Sequence, residues 1–126
     1  MSKVTILVVE DDASVAMDIE SNLESTRYTI QDVASSGEEA LEKLSEFIPD
    51  LVLMDIILKG DIDVITAAEE LHKFDIPFIY LTANSEKATQ KRALATKPRG
   101  YILKPFENKE LKETVESALK QPKDNI

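Results

Sequence analysis

Four polar points stand at the ends of apolar runs in this chain. Glu10, Asp11 and Asp12 follow Val4 to Val9, and Asp55 follows Leu51 to Met54. Thr82 follows Phe78 to Leu81, and Lys104, with Pro105 after it, closes Gly100 to Leu103. Each has an ordinary explanation when taken alone. Acidic residues after a strand cap the next helix and complement its dipole, and Asp55 reads equally well as a loop carboxylate. The combination has a different chemistry. If the carboxylates and the lysine share one edge of a sheet, the carboxylates repel strongly. A bound cation relieves that repulsion, and an all-oxygen donor set suits magnesium or manganese rather than zinc.

The elements that must position these residues are legible in the hydrophobic pattern. The apolar runs are short, rich in Val, Ile and Leu, and show little alternation; Tyr28 to Ala34 and Gly100 to Leu103 are the weaker ones. Strands buried on both faces of a parallel sheet look like this. Five helix-period segments lie between or after them. Val15, Ile19 and Leu23 mark the first. Ser36 opens the second, with Glu39 completing a capping box, apolar positions at Ala40, Leu41, Leu44 and Phe47, and Pro49 closing it. The third covers Val64 to Lys73, with Ile65, Ala68 and Leu71 on one stripe. The fourth, Glu86 to Ala95, is mostly polar. The fifth, Lys109 to Lys120, carries Leu111, Val115, Ala118 and Leu119. A strand–helix unit repeated five times with right-handed crossovers gives an α/β, doubly wound parallel sheet. Its working crevice lies at the carboxyl ends of the strands.

Composition bounds the rest. A length of 126 residues fits one domain. Residues 1–120 are expected to form it, with 121–126 as a tail. There is no cysteine, which removes disulfide scaffolds and thiolate zinc sites. A membrane span needs roughly 18 apolar residues in a row, and no stretch comes near that. The opening MSKVTILVVEDD lacks a signal-peptide layout, so the cytoplasm is the expected setting. A formal net charge of -9 argues against direct nucleic-acid binding.

The pieces ILVVEDD, LVLMDI, YLTANS and GYILKPF, in this order and spacing, resemble the receiver domain of two-component response regulators, from about Val4 to Leu119. The resemblance implies a flavodoxin-like (βα)5 fold with strand order 2-1-3-4-5. It implies Asp55 as phosphoacceptor, Asp11 as a direct metal ligand, and Glu10 as its acidic neighbour acting through water. The main-chain carbonyl of Ile57 would complete the protein's donors to Mg2+, or to Mn2+ in its place. Thr82 matches the switch hydroxyl, Lys104 the phosphate-binding lysine and Tyr101 the aromatic switch. Asp12 is left to cap the first helix. A cis Lys104–Pro105 bond is implied too. Such chemistry suits these residue types: a carboxylate is ionised at neutral pH, and phosphoryl transfer needs mainly alignment and charge neutralisation. A lysine serves phosphate as a point charge.

The implied function is a stand-alone signalling switch of the chemotaxis type rather than a conventional enzyme. Its donor would be a phosphohistidine on a sensor histidine kinase or phosphotransfer protein. Its output partner would dock on the fourth helix, fifth strand and fifth helix. From Glu86 to Lys104 there are six basic residues against one acid, which is either a solvated helix face or a docking surface for an acidic partner. Departures from the family pattern are Lys59-Gly60 after Asp55, Val64 in place of a usual glycine, and Lys97-Pro98 before the fifth strand. These forms lean toward receivers found beside sensor kinases. Ile57 would shield the phosphoryl group from water. His72, near a helix C-terminus, suits the dipole there rather than phosphotransfer. Asp61 and Asp63 read as loop and cap rather than as paired phosphatase aspartates. Two rivals stand beside the switch: a metal-dependent phosphatase with Asp55 as nucleophile, and an unphosphorylated pseudo-receiver acting as an interaction module.

Overall fold

The computed structural model describes residues 3–25, 27–56, 64–83 and 87–121. Ile57, the Lys59-Gly60 pair, Asp61, Asp63, Glu86 and residues 122–126 lie outside the described residues. The elements run β1 (Val4–Val9), α1 (Ala13–Leu23), β2 (Tyr28–Ala34), α2 (Gly37–Leu44), β3 (Leu51–Asp55), α3 (Val64–Lys73), β4 (Phe78–Thr82), α4 (Lys87–Leu94), β5 (Gly100–Leu103) and α5 (Asn108–Lys120). The five strands form one parallel sheet in the order β2-β1-β3-β4-β5. This is the flavodoxin-like order expected from the sequence.

Strand position explains strand composition. β3 and β4 are buried along their whole length, and β1 along its last four residues. These are the three inner strands, covered by helices on both faces. β2 and β5 are the edges, and their burial is broken by exposed and half-buried positions, which is why their apolar signal is weaker. Successive strand residues face opposite ways, so two cores form. Leu7, Val9, Met54 and Tyr80 pack with residues of α2, α3 and α4. Ile6, Val8, Leu53 and Leu81 pack with residues of α1 and α5.

Local signals fix most helix ends. Asp12 caps α1, accepting from the N–H groups of Ser14 and Val15 at 3.0 and 3.4 Å. Ser36 caps α2 through the N–H of Glu39 at 3.1 Å, while the Glu39 carboxylate takes the hydroxyl of Ser35. α2 stops at Leu44, short of Phe47, which still packs against the first core from the following loop. α3 ends in a Schellman turn: Ile76 N–H reaches Leu71 O at 2.9 Å and Asp75 N–H reaches His72 O at 3.1 Å, with Asp75 left-handed at φ 60°. Arg99 donates to the carbonyls of Gln121 at 2.9 Å and Ala118 at 3.4 Å at the end of α5. Gly100 has a steric role, since a Cβ there would lie 2.7 Å from Thr114 Cγ2.

The register does the positioning. Val9 pairs with Met54, Asp55 with Leu81, and Thr82 with Leu103. The ladder runs one residue further through Glu10 N–H to Ala34 O and Lys104 N–H to Thr82 O. Glu10, Asp55, Thr82 and Lys104 therefore stand in a row along one edge. The Lys104–Pro105 peptide bond is cis, as expected.

Candidate functional site at the carboxyl edge of the sheet

Glu10 and Asp55 are 2% and 7% exposed, and Thr82 is fully buried. Asp11, on the turn between β1 and α1, is half-buried. One carboxylate oxygen from each of Glu10, Asp11 and Asp55 lies within 4.8 Å of the others. Lys104 Nζ donates to Glu10 Oε1 at 2.6 Å and to Asp55 Oδ2 at 2.9 Å. The Asp12 N–H donates to Glu10 Oε2 at 3.2 Å. The Asp12 carboxylate turns away to cap α1, where the Ser14 hydroxyl and the first N–H groups hold it below the usual carboxylate range.

The electrostatics follow from this crowding. Burial raises the Glu10 pKa; the Lys104 and Asp12 bonds oppose the rise, and the nearby Asp55 charge adds to it. Burial works against the Lys104 ammonium, yet its bonds to Glu10 and Asp55 prevail and hold its pKa above the ordinary value. Glu10 and Asp55 thus share one lysine, with the Asp11 carboxylate beside them. Like charges 4 Å apart repel by about 4 kcal/mol at an effective dielectric near 20. A small hard dication fits both the charge deficit and the all-oxygen donors.

Tyr101 stands on the same sheet face, in register with Tyr80 and two residues before Leu103, the partner of Thr82. Its ring packs against the first core. Its hydroxyl is buried beside Gln90 of α4 without closing a well-formed hydrogen bond, and burial raises its pKa.

The model of the response regulator receiver domain matches residues 6–116, most of the chain. The chain belongs to the response regulator receiver family. The chain is 33% identical to a probable transcriptional regulator, ycf27, of Guillardia theta, over 95% of its own length and 47% of that protein. It is 32% identical to the phosphate regulon transcriptional regulatory protein PhoB of Rhizobium meliloti (strain 1021), over 96% of its length and 54% of PhoB. The chain therefore spans about half the length of these curated relatives. A crystal structure of a putative response regulator from Chloroflexus aurantiacus J-10-fl superposes with a TM-score of 0.85 at 31% identity, covering 95% of this chain and all of that one.

Of the residues singled out from the sequence, the receiver fold brings Glu10, Asp11, Asp55 and Lys104 into one cluster and sets Thr82 and Tyr101 on the adjoining strands. One neighbour had no sequence signal: Gln90, beside the Tyr101 hydroxyl, comes from a helix that is mostly polar.

Proposed function

We propose that this receiver accepts a phosphoryl group on Asp55 from the phosphohistidine of a sensor kinase or phosphotransfer protein. The observation that carries the reading is the meeting of Asp55 with Glu10 and Asp11, one oxygen of each within 4.8 Å of the others, and with Lys104, which bonds both Glu10 and Asp55. An Asp55 carboxylate oxygen attacks phosphorus; the new P–O bond forms as the donor's P–N bond breaks, and the donor imidazole leaves. Glu10, Asp11, Asp55 and the Ile57 carbonyl would hold Mg2+, or Mn2+ in its place. When bound, the dication neutralises charge between Asp55 and the incoming phosphoryl oxygens. Lys104, already on Asp55, supplies a fixed positive charge to a phosphoryl oxygen.

The readout is a change of surface. Phosphorylation adds about -1.5 to -2 charge and three acceptor oxygens. The Thr82 hydroxyl turns toward one of them, and the Tyr101 ring shifts into the space released. The face of α4, β5 and α5 then binds an output partner with altered affinity. Residues 1–120 act as the switching unit. The setting is cytoplasmic, and the acidic net charge disfavours direct contact with nucleic acid.

Incubation with magnesium and acetyl phosphate, followed by intact mass measurement, tests this. The native protein should gain one phosphoryl group, and Asp55→Asn should gain none. No gain in the native protein, or an equal gain in Asp55→Asn, overturns the proposal. Repeated turnover of an external phosphoester would replace the switch with a phosphatase.

A further inference from the structure

α4 is held to the molecule with little apolar burial of its own. Ala93 is its one buried residue, so apolar packing contributes little. A cleft of about 840 Å3 opens between its carboxyl end and α3, lined by Ile65, His72, Phe78, Arg92 and Thr96 among others. Polar contacts bridge that cleft, and they converge on Thr96.

The Thr96 hydroxyl lies 2.6 Å from Ala93 O and 2.6 Å from the Tyr80 hydroxyl. A carbonyl can only accept, so Thr96 donates to Ala93 and Tyr80 donates to Thr96. The Thr96 carbonyl lies 2.6 Å from His72 Nε2 on α3, so the imidazole carries a proton on that nitrogen. One residue thus ties together α3, β4 and the end of α4. Tyr80 is fully buried, and burial pushes its hydroxyl up to about 12, so it remains a donor at any ordinary pH. Phe78 fixes the neighbouring rings, edge-on to His72 and to Tyr80. The next residue, Lys97, is left-handed at φ 60°, a conformation that persists in a non-glycine residue when its surroundings dictate it.

The knot also adjoins the switch positions. Tyr80 precedes Thr82 by two residues on one face of β4 and is in register with Tyr101. Tyr101 in turn touches Gln90, earlier in α4. We propose that Thr96 is a positioning residue: its bonds to Tyr80 and His72 latch the carboxyl end of α4 and set how readily that helix leaves the sheet when the switch is thrown. The latch stands on geometry; its consequence for switching rests on the proposed phosphorylation of Asp55.

Native-state hydrogen exchange, read by mass spectrometry on peptides covering α4, β4 and α5, separates the two. Losing one buried hydrogen bond corresponds to roughly a five- to tenfold rise in local opening. Tyr80→Phe and Thr96→Val should each speed exchange in α4 by about that factor and leave α5 unchanged, while Thr96→Ser, which keeps the hydroxyl, should restore the parent rate. Unchanged α4 exchange, or equal acceleration in α5, overturns the latch. In the same samples, phosphorylation by acetyl phosphate should be a few-fold faster in Tyr80→Phe than in the parent. An identical rate despite faster α4 exchange overturns the link to switching. If the parent takes up no phosphoryl group, the phosphoacceptor reading fails, and the exchange data still decide the latch.

Discussion

The two ends of the sheet handle charge in opposite ways. At the amino end, ionic and polar groups are matched to backbone. Asp50 accepts the Thr5 N–H at 2.8 Å, Arg99 donates to carbonyls at the end of α5, and His72 donates to Thr96 O. At the carboxyl end, three carboxyl groups lie together and only two of them, Glu10 and Asp55, bond the Lys104 ammonium, and burial raises the Glu10 pKa. The first arrangement is what stability alone selects. The second holds an electrostatic deficit that a ligand can fill, and the proposed phosphoryl transfer rests on that difference.

Substitutions at each end should break this contrast in distinct ways. The largest effect is expected from Lys104→Met. It removes the cation from two buried carboxylates and should destabilise by about 3 kcal/mol, while phosphoryl uptake drops by about 100-fold or more. Millimolar magnesium should recover part of the stability, because a ligand that binds only the folded state stabilises it. Urea unfolding with and without magnesium checks both. Gly100→Ala, at the amino end, should cost about 1–3 kcal/mol through the clash with Thr114, with uptake of phosphoryl groups intact in the folded fraction.

The acidic side of the contrast is read by pH. The folded Glu10 pKa is raised, so this group's contribution is fully present when it is protonated. That contribution is lost as pH rises from the unfolded carboxyl value through the folded one. Glu10→Gln should therefore match or exceed the parent in stability at neutral pH, and the gap should close on acidification through that window. A gap that widens toward low pH would contradict the assignment. Asp12 runs the other way: its lowered pKa gives a contribution present above the unfolded value and lost as pH falls through the folded one. The smallest effect is expected from Lys97→Gly, which relieves a left-handed conformation and should raise stability by up to about 1 kcal/mol. Thermal melting resolves it.

Much of this was legible because the sheet is regular. The inner strands announce themselves by uninterrupted apolar runs, and residues that follow those runs must line one edge once strand order and register are set. Glu10, Asp55, Thr82 and Lys104 could be placed for that reason. The edge strands β2 and β5 were fainter, having one sheet neighbour each. Phe47 keeps the helical period of α2, yet it packs from the loop; burial does not require the helix to continue. The Thr96 knot was not legible. His72, Tyr80 and Thr96 lie on three elements, and the choice among their polar partners is made by tertiary packing, which leaves no local pattern. Ile57, whose carbonyl and side chain the sequence singled out, lies outside the described residues.

The central claim, that the Asp55 carboxylate is the group that becomes phosphorylated to an acyl phosphate, has a direct chemical test. Sodium borohydride reduces an aspartyl phosphate to homoserine. After reaction with acetyl phosphate and magnesium, reduction and peptide mass mapping should find homoserine at position 55 and an unmodified aspartate at position 11. Homoserine elsewhere, or phosphate that survives borohydride on a hydroxyl or imidazole, would contradict the account.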